Sequence, residues 1–399
     1  MLNPLKIKSD FPIFDNSDFI YLDNASTTQK PRDVIEAITT MYLETNANVH
    51  RALYTIGSQA TEKYEAARKK VASFINAKSE REIVFTSGTT ESINLLARTI
   101  GDTLEPGDEI LISEMEHHAN LVPWQMTAER TGAKIVYLPI TTSGDLNLND
   151  TKSYFNEKTK IVSITHVSNV LGTVNHVKKI AKMTHDVNAI LVIDGAQAVP
   201  HQTVDVNDLD CDFYTFSGHK MLGPTGIGVL WGKNELLENM DPFMGGGEMI
   251  ENVTLEKSTW NTVPYKFEAG TPNFVQAVGL GAAIDYIENI GLQEIKEHEN
   301  KLTKYTLKRL SQIDGITLYG SPKRRAGVIS FNCDGIHPQD LVQFLNEDNI
   351  AIRVGHHCAQ PLLKVLDEHS IARLSIYVYN DESDIDRLCE SLKGIKSFF

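Results

Sequence analysis

The sequence predicts an α/β fold, a large domain with a mostly parallel central sheet joined to a smaller α+β domain. Three observations predict it. Short β-rich runs alternate with amphipathic segments, the texture changes near residue 290 to a long charged helix followed by scattered strands, and no repeat or Gly/Ser linker separates the two parts. Residues 20–285 are assigned to the large domain, and residues 1–19 and 286–399 to the small one carrying Cys358 and Arg373. Two domains are what a chain of 399 residues ordinarily forms.

In chain order, the expected strands of the large domain are "EIVFT" (82–86), "EILIS" (109–113), "KIVYL" (134–138), "KIVSITHV" (160–167), "AILVID" (189–194), "FYTF" (213–216) and "GVLW" (228–231). Segments such as "ESINLLARTI" and "HVKKIAKMTHDV" repeat their apolar residues every three or four positions and read as helices covering the sheet. The small domain begins with the helix "LQEIKEHENKLTKYTLKRLSQI". Strands at "AGVISFN", "IAIRVG" and "ARLSIYVY" follow, with helices between them.

Composition excludes several function classes. A net charge of −14 argues against a nucleic-acid backbone as partner, since such binding needs clustered Lys and Arg. The start "MLNPLKIKSDFPIF" has no apolar core of the signal-peptide kind, and no stretch reaches the ~18 apolar residues of a membrane span. A cytoplasmic protein, off the membrane, is expected. Cys211, Cys333, Cys358 and Cys389 are widely spaced without a CxxC, so reduced thiols are expected, three of them simply packed.

In an open α/β sheet, ligands gather at the carboxyl ends of the strands. Here "EIVFT" runs into "SGTTES", a hydroxyl-rich turn opening a helix, which is either an N-cap or an anion cradle. No GK[ST] follows it, and no GxGxxG occurs. "AILVID" ends on Asp194 with Gln197 just beyond, "EILIS" leads to His117 and His118, and "FYTF" leads into "SGHKMLGPTG" with Lys220. Lys220 alone reads equally as a solvated loop residue. An anion cradle, a carboxylate, an imidazole and a lysine on one rim suit pyridoxal 5'-phosphate, which needs a lysine to bond it, an acid for its ring nitrogen and a nest for its phosphate.

The chain resembles the fold-type I pyridoxal phosphate enzymes of the class V aminotransferase family, and within them the group II, SufS-type cysteine desulfurases. The resemblance rests on "YLDNASTTQKP", "NVHR", "SGTTESINL", "MEHHANLVPW", "THVSNVLGT", "DGAQAVPH", "SGHKMLGPTGIGVL", "FEAGTPN" and "RVGHHCAQP". The last discriminates best, because transaminase-like relatives lack its cysteine. The resemblance implies that Lys220 is the Schiff-base lysine, Asp194 the partner of the pyridine nitrogen, Gln197 a donor to the phenolate oxygen and His117 the ring-stacking residue. Thr89, Ser217 and His219 would hold the phosphate, joined by Thr271 from a second subunit. Asn169 and Arg373 would bind the substrate carboxylate, with Arg353 at the base of the cysteine loop and Arg51 reaching across a homodimer.

Cys358 would be the nucleophile that takes sulfur from L-cysteine, leaving alanine and a persulfide for a small SufU- or SufE-like acceptor protein, and the pathway implied is iron–sulfur cluster assembly. The short segment before Cys358 favours an acceptor that reaches in. His356 and His357 as zinc ligands are disfavoured by the consecutive H-H-C, and no metal is expected. Ser26 stands where a second alanine is usual, a harmless departure, while Ala52 and Tyr54 replace a usual glycine and histidine near Arg51. His118 reads as a packing residue, "MGGGEM" (244–249) as a flap at the site mouth and "KRR" (323–325) as a solvated turn. Selenocysteine lyase, aminotransferase and a non-catalytic cofactor-binding module remain the alternatives.

Overall fold

The computed structural model describes residues 2–15 and 17–396, so the last three positions of the expected small domain lie outside the described residues. A seven-stranded sheet runs in the order Ile83–Thr86, Gly228–Gly232, Phe213–Ser217, Ile190–Asp194, Thr159–Thr165, Glu109–Ser113, Lys134–Leu138. Gly228–Gly232 is antiparallel to both neighbours, and every other pairing is parallel. Each strand falls on one of the expected runs. Apart from the edge strand Lys134–Leu138, where Tyr137 is exposed, these runs are almost continuously apolar because both faces are covered. Leu191 and Ile193 pack into one core with Val177 and Ile180 of the helix Val177–His185, whereas Val192 packs into another with Leu95 and Leu96 of Thr89–Thr99 and with Trp124.

Three long helices, Arg32–Glu44, Thr55–Phe74 and Phe274–Ile290, join the first core through Val34, Met41, Tyr64, Val71, Leu280 and Ile284. Between the helix Thr55–Phe74 and the strand Ile83–Thr86 sits a buried ion pair. Arg68 grips Glu268 bidentately at 2.6 and 2.9 Å, and Glu268 also accepts Phe85 N–H at 2.7 Å and Tyr64 O–H at 2.8 Å. This fastens the segment leading to Thr271 onto the edge strand Ile83–Thr86.

The second sheet is antiparallel, in the order Ile316–Tyr319, Val328–Cys333, Ile371–Ser375, Arg353–Gly355. Leu302, Leu341, Leu345, Leu388 and Leu392 from the helices Leu292–Leu310, Pro338–Glu347 and Glu382–Lys396 close its core. The run "IAIRVG" divides in two, since Ile350–Ala351 pairs in parallel with Ile20–Tyr21 while Arg353–Gly355 joins the antiparallel sheet. Packing crosses the expected boundary at residue 20. Phe11 and Phe14 sit in the first core, and Ile20 and Leu22 in the second. Among the described residues no helix is long and apolar enough to cross a membrane.

One expectation about a loop is corrected. "KRR" is not simply a solvated turn, because Arg325 is half-buried, donates to the carbonyls of Val328, Tyr319 and Gly320, and has its pKa lowered to about 10 by burial. Within "MGGGEM", Glu248 is tied back to His50 at 3.2 Å and to Arg51 at 2.7 Å.

Candidate active site

Parallel pairing puts the carboxyl ends of the strands on one rim, with Thr165 opposite Asp194 and Asp194 opposite Thr215. A cavity of about 180 Å³ opens there. Thr89, His117, Asn169, Asp194, Gln197, Ser217, His219, Lys220, Arg353, Cys358 and Arg373 all line it. Thr271 and Arg51 do not. Thr271 lies in a separate depression beside Ser87 and Met244, and Arg51 is largely exposed and paired with Glu248.

The floor is built from the large sheet. Asp194 is 5% exposed, and its Oδ1 accepts Ala196 N–H at 3.0 Å. Burial raises its pKa, against the pull of Lys220 and that N–H. The next residue must be glycine, since a Cβ on Gly195 would lie 2.0 Å from Tyr214 Cε1. Tyr214 is itself fixed by His166 Nδ1 at 2.8 Å.

Lys220 ends the short turn Gly218–Lys220, and burial lowers its pKa although Asp194 opposes this. That turn is strapped down by "STTQK": Thr28 N–H, Thr27 Oγ1, Thr28 Oγ1 and Lys30 Nζ all donate to the His219 carbonyl, Lys30 at 3.0 Å. Burial lowers Lys30 to about 7. Neither the strap nor Lys30 was singled out by the sequence reading, although the motif containing them was. A lysine following two threonines carries no local sign of its distant carbonyl partner.

At the other end of the cavity Ser217 Oγ accepts Thr89 N–H at 2.9 Å and meets Thr89 Oγ1 at 2.8 Å. This approach depends on Gly228, where a Cβ would fall 2.3 Å from Gly88 Cα. The hydroxyls sit at the N-terminus of Thr89–Thr99, where helix dipole and free N–H groups favour an anion.

His117 follows the strand Glu109–Ser113, and its Nδ1 accepts Ala119 N–H at 3.0 Å, leaving the ring hydrogen on Nε2. Burial and then Lys220 lower its pKa to about 3, so the ring is neutral. Beneath it Glu116 accepts Asn120 Nδ2 at 2.7 Å and Thr165 N at 3.1 Å, and burial raises its pKa to about 8.

The four-stranded sheet and the loop beside it supply the roof. Cys358 is partly exposed and lies between Arg353–Gly355 and the helix Gln360–Val365. His357 and Cys358 both have left-handed backbones, φ 49° and 56°. Such residues cost about 1–2 kcal/mol each and need outside support. His118 N–H donates to the Cys358 carbonyl at 2.7 Å, Asn169 Nδ2 to the His357 carbonyl at 2.8 Å, and Gln360 N–H to His118 Nε2 at 3.2 Å. His118 therefore does more than pack, since it pins the cysteine loop to the large domain. Burial lowers His357 to about 3, so its imidazole is neutral. Cys211, Cys333 and Cys389 are buried, as expected of packing thiols.

Arg373 is 1% exposed and donates to the Asn169 carbonyl at 3.0 Å, to Asp23 at 2.8 Å and to Ser26 Oγ at 2.8 Å. Its Nε is buried without a partner. Ser26, expected to be inconsequential, also accepts Arg353 Nη1 at 2.6 Å.

These residues fit pyridoxal phosphate. A buried carboxylate faces a lysine of lowered pKa across the cavity, a hydroxyl pair caps a helix N-terminus, and two buried polar atoms, Gln197 Oε1 and Arg373 Nε, await partners. Gln197 Nε2 spends one hydrogen on the Ala25 carbonyl at 2.7 Å, which leaves the second for the expected donation.

The comparisons agree with this geometry. The class V aminotransferase family model matches residues 20–388. A probable cysteine desulfurase of Halalkalibacterium halodurans is 52% identical over 403 residues, covering 100% of this chain and 99% of that one. The cysteine desulfurase of Thermococcus onnurineus superposes with a TM-score of 0.96 at 39% identity, covering 100% of this chain and 99% of that one. The cysteine desulfurase CsdA of Escherichia coli, in its S-sulfonic acid form, gives 0.94 at 38% identity with 100% of both chains covered. From the rim of strand ends to the cysteine over it, the chain belongs to the class V aminotransferase family, and is one of its pyridoxal phosphate-dependent cysteine desulfurases.

Proposed function

We propose that this enzyme is a group II, SufS-type desulfurase that forms a persulfide on Cys358 and passes it to a small SufU- or SufE-like acceptor protein for iron–sulfur cluster assembly. The observation that carries this reading is the position of Cys358. Its partly exposed thiol lines the same cavity as Lys220, Asp194 and Arg373 and rides on a short, pinned loop. A loop held at both ends does not travel far, which supports an acceptor that comes to the sulfur.

Bound pyridoxal phosphate supplies an electron sink for charge developing at the substrate Cα. Lys220 would hold the cofactor, Asp194 would serve its ring nitrogen, Thr89, Ser217 and His219 would hold its phosphate, His117 would cover its ring and Gln197 would donate to it. Arg373, with Asn169 and Arg353 beside it, receives the substrate carboxylate, for which a guanidinium offers a bidentate fork. Burial lowers the Lys220 pKa and so favours the neutral amine, the form in which Nζ can take up the Cα proton. The Cys358 sulfur then attacks the substrate sulfur, forming an S–S bond as the substrate C–S bond breaks; the C–S electron pair stays on the substrate Cβ, which takes up a proton, so sulfur is oxidised, carbon is reduced and alanine leaves.

The separate positions of Thr271 and Arg51 support a homodimer in which each completes the partner's site. Mixing a Thr271 variant with a Lys220 variant tests this, since heterodimers regain one intact site. The division into a cofactor-holding part and a smaller part bearing Cys358 and Arg373 is likewise proposed, with the N-terminal residues shared between both cores. The deciding experiment supplies L-cysteine and measures alanine together with the mass of the Cys358 peptide, with and without acceptor proteins. One added sulfur supports the reading. A requirement for a 2-oxo acid, or turnover of selenocysteine alone, overturns it.

A further inference from the structure

Arg353 and Arg373 are direct cross-strand partners in the antiparallel sheet, an arrangement that like charges disfavour. Both face the cavity. What holds them side by side is Ser26. Its Oγ accepts Arg353 Nη1 at 2.6 Å and Arg373 Nη2 at 2.8 Å, and donates its own hydrogen to Asp23 Oδ1 at 2.7 Å. One donation and two acceptances are all that a hydroxyl can make. Asp23 also pairs directly with Arg373 at 2.8 Å. Donation to a carboxylate polarises the hydroxyl, which makes its oxygen a better acceptor for both guanidinium groups.

The two arginines depend on Ser26 unequally. Arg373 has Asp23 and the Asn169 carbonyl besides. Among the described residues, the Arg353 guanidinium has no other hydrogen-bond partner and no ion pair. Take away the hydroxyl and Arg353, repelled by its neighbour, is free to swing out of the cavity, while a buried donor of Arg373 is left short.

We propose that Ser26 is a positioning residue for substrate binding: with Asp23 it holds Arg353 and Arg373 together as a two-guanidinium clamp for the carboxylate of the amino-acid substrate. This rests on the reading of Arg373 as the carboxylate site. The unpartnered Nε of Arg373 marks where donor capacity remains for that anion.

The test uses the cofactor-loaded enzyme with Ser26→Ala, Ser26→Thr and Arg373→Ala. Ser26→Ala raises KM for L-cysteine about three- to tenfold, the range of an ordinary net hydrogen bond, with kcat within about twofold. The dissociation constant for L-alanine, followed by thermal shift without turnover, weakens by the same factor. Ser26→Thr, which keeps the hydroxyl, restores both, and added to Arg373→Ala the alanine substitution still raises KM, by a smaller factor, because the hold on Arg353 is lost.

A merely structural serine would lower the melting temperature and leave KM and the L-alanine constant alone, which overturns the proposal. So does a KM that is unchanged or lower in Ser26→Ala. If Arg373→Ala itself leaves KM unchanged, the carboxylate-site reading fails instead.

Discussion

The floor and the roof of the active site are built on opposite principles. Asp194, Ser217 and Thr89 sit at the ends of buried strands or the first turn of a packed helix, each fixed within a few residues of the sheet. Cys358 sits on a short loop of two left-handed non-glycine residues, held from outside by His118 and Asn169. A group that positions a cofactor gains from rigidity, whereas a sulfur with the role proposed for Cys358, accepting a substrate atom and then being reached by another protein, gains from exposure. The difference teaches that this protein places its fixed chemistry on the sheet and its transferable chemistry on a loop.

The largest expected effects break the two halves separately. Lys220→Ala abolishes covalent cofactor attachment, read by borohydride reduction and peptide mapping, and lowers turnover by about 10²–10⁴-fold or more. Cys358→Ser keeps the cofactor and still binds L-cysteine but releases almost no alanine, because a hydroxyl accepts no sulfur. Serine variants of Cys211, Cys333 and Cys389 keep most of the activity. Near wild-type turnover in Cys358→Ser would erase the contrast.

Next comes the foundation of the floor. Arg68→Met leaves Glu268 as an uncompensated buried charge and costs about 3–5 kcal/mol in denaturant unfolding. A loss under about 1 kcal/mol would mean that the edge strand does not depend on the pair.

The roof is sharpened by smaller changes. Asn169→Ala removes one tie to the cysteine loop, and the rate of Cys358 alkylation in the absence of substrate rises about fivefold. No change would show that the loop holds without it.

The smallest effect concerns pH. His50 has its pKa raised, chiefly by the hydrogen bond to Glu65 and despite burial. A base whose folded value lies above its unfolded value stabilises fully below the unfolded value, and the contribution is lost as pH rises through the folded one. His50→Gln therefore lowers the melting temperature by about 1–2 °C more near pH 5 than near pH 9. An equal loss at both ends would remove His50 from the account.

Legibility divided along the same line. The strands of the large sheet are readable because all but the edge strand Lys134–Leu138 are buried nearly throughout and so apolar in sequence, with Asp194 and Ser217 as the last residues of their strands and Lys220 three positions on. The helix Phe274–Ile290 was not singled out. It is buried against both Arg32–Glu44 and Thr55–Phe74, so apolar residues surround it and the helical period is blurred. Ser26 looked inconsequential because its partners, Arg353 and Arg373, are more than three hundred positions away along the chain.

The sequence by itself determined the alternation of strands and helices and the residues at the strand ends, since burial period and side-chain type are local properties, while the role of the cysteine in "RVGHHCAQP" rested on the family resemblance. Only the tertiary structure decided that Lys220 is depressed by burial, that the "STTQK" strap carries its turn, and that Ser26 gathers two arginines above the cavity. Those outcomes depend on which distant segments meet, and hydrogen bonds and desolvation act through space, without regard to separation along the chain.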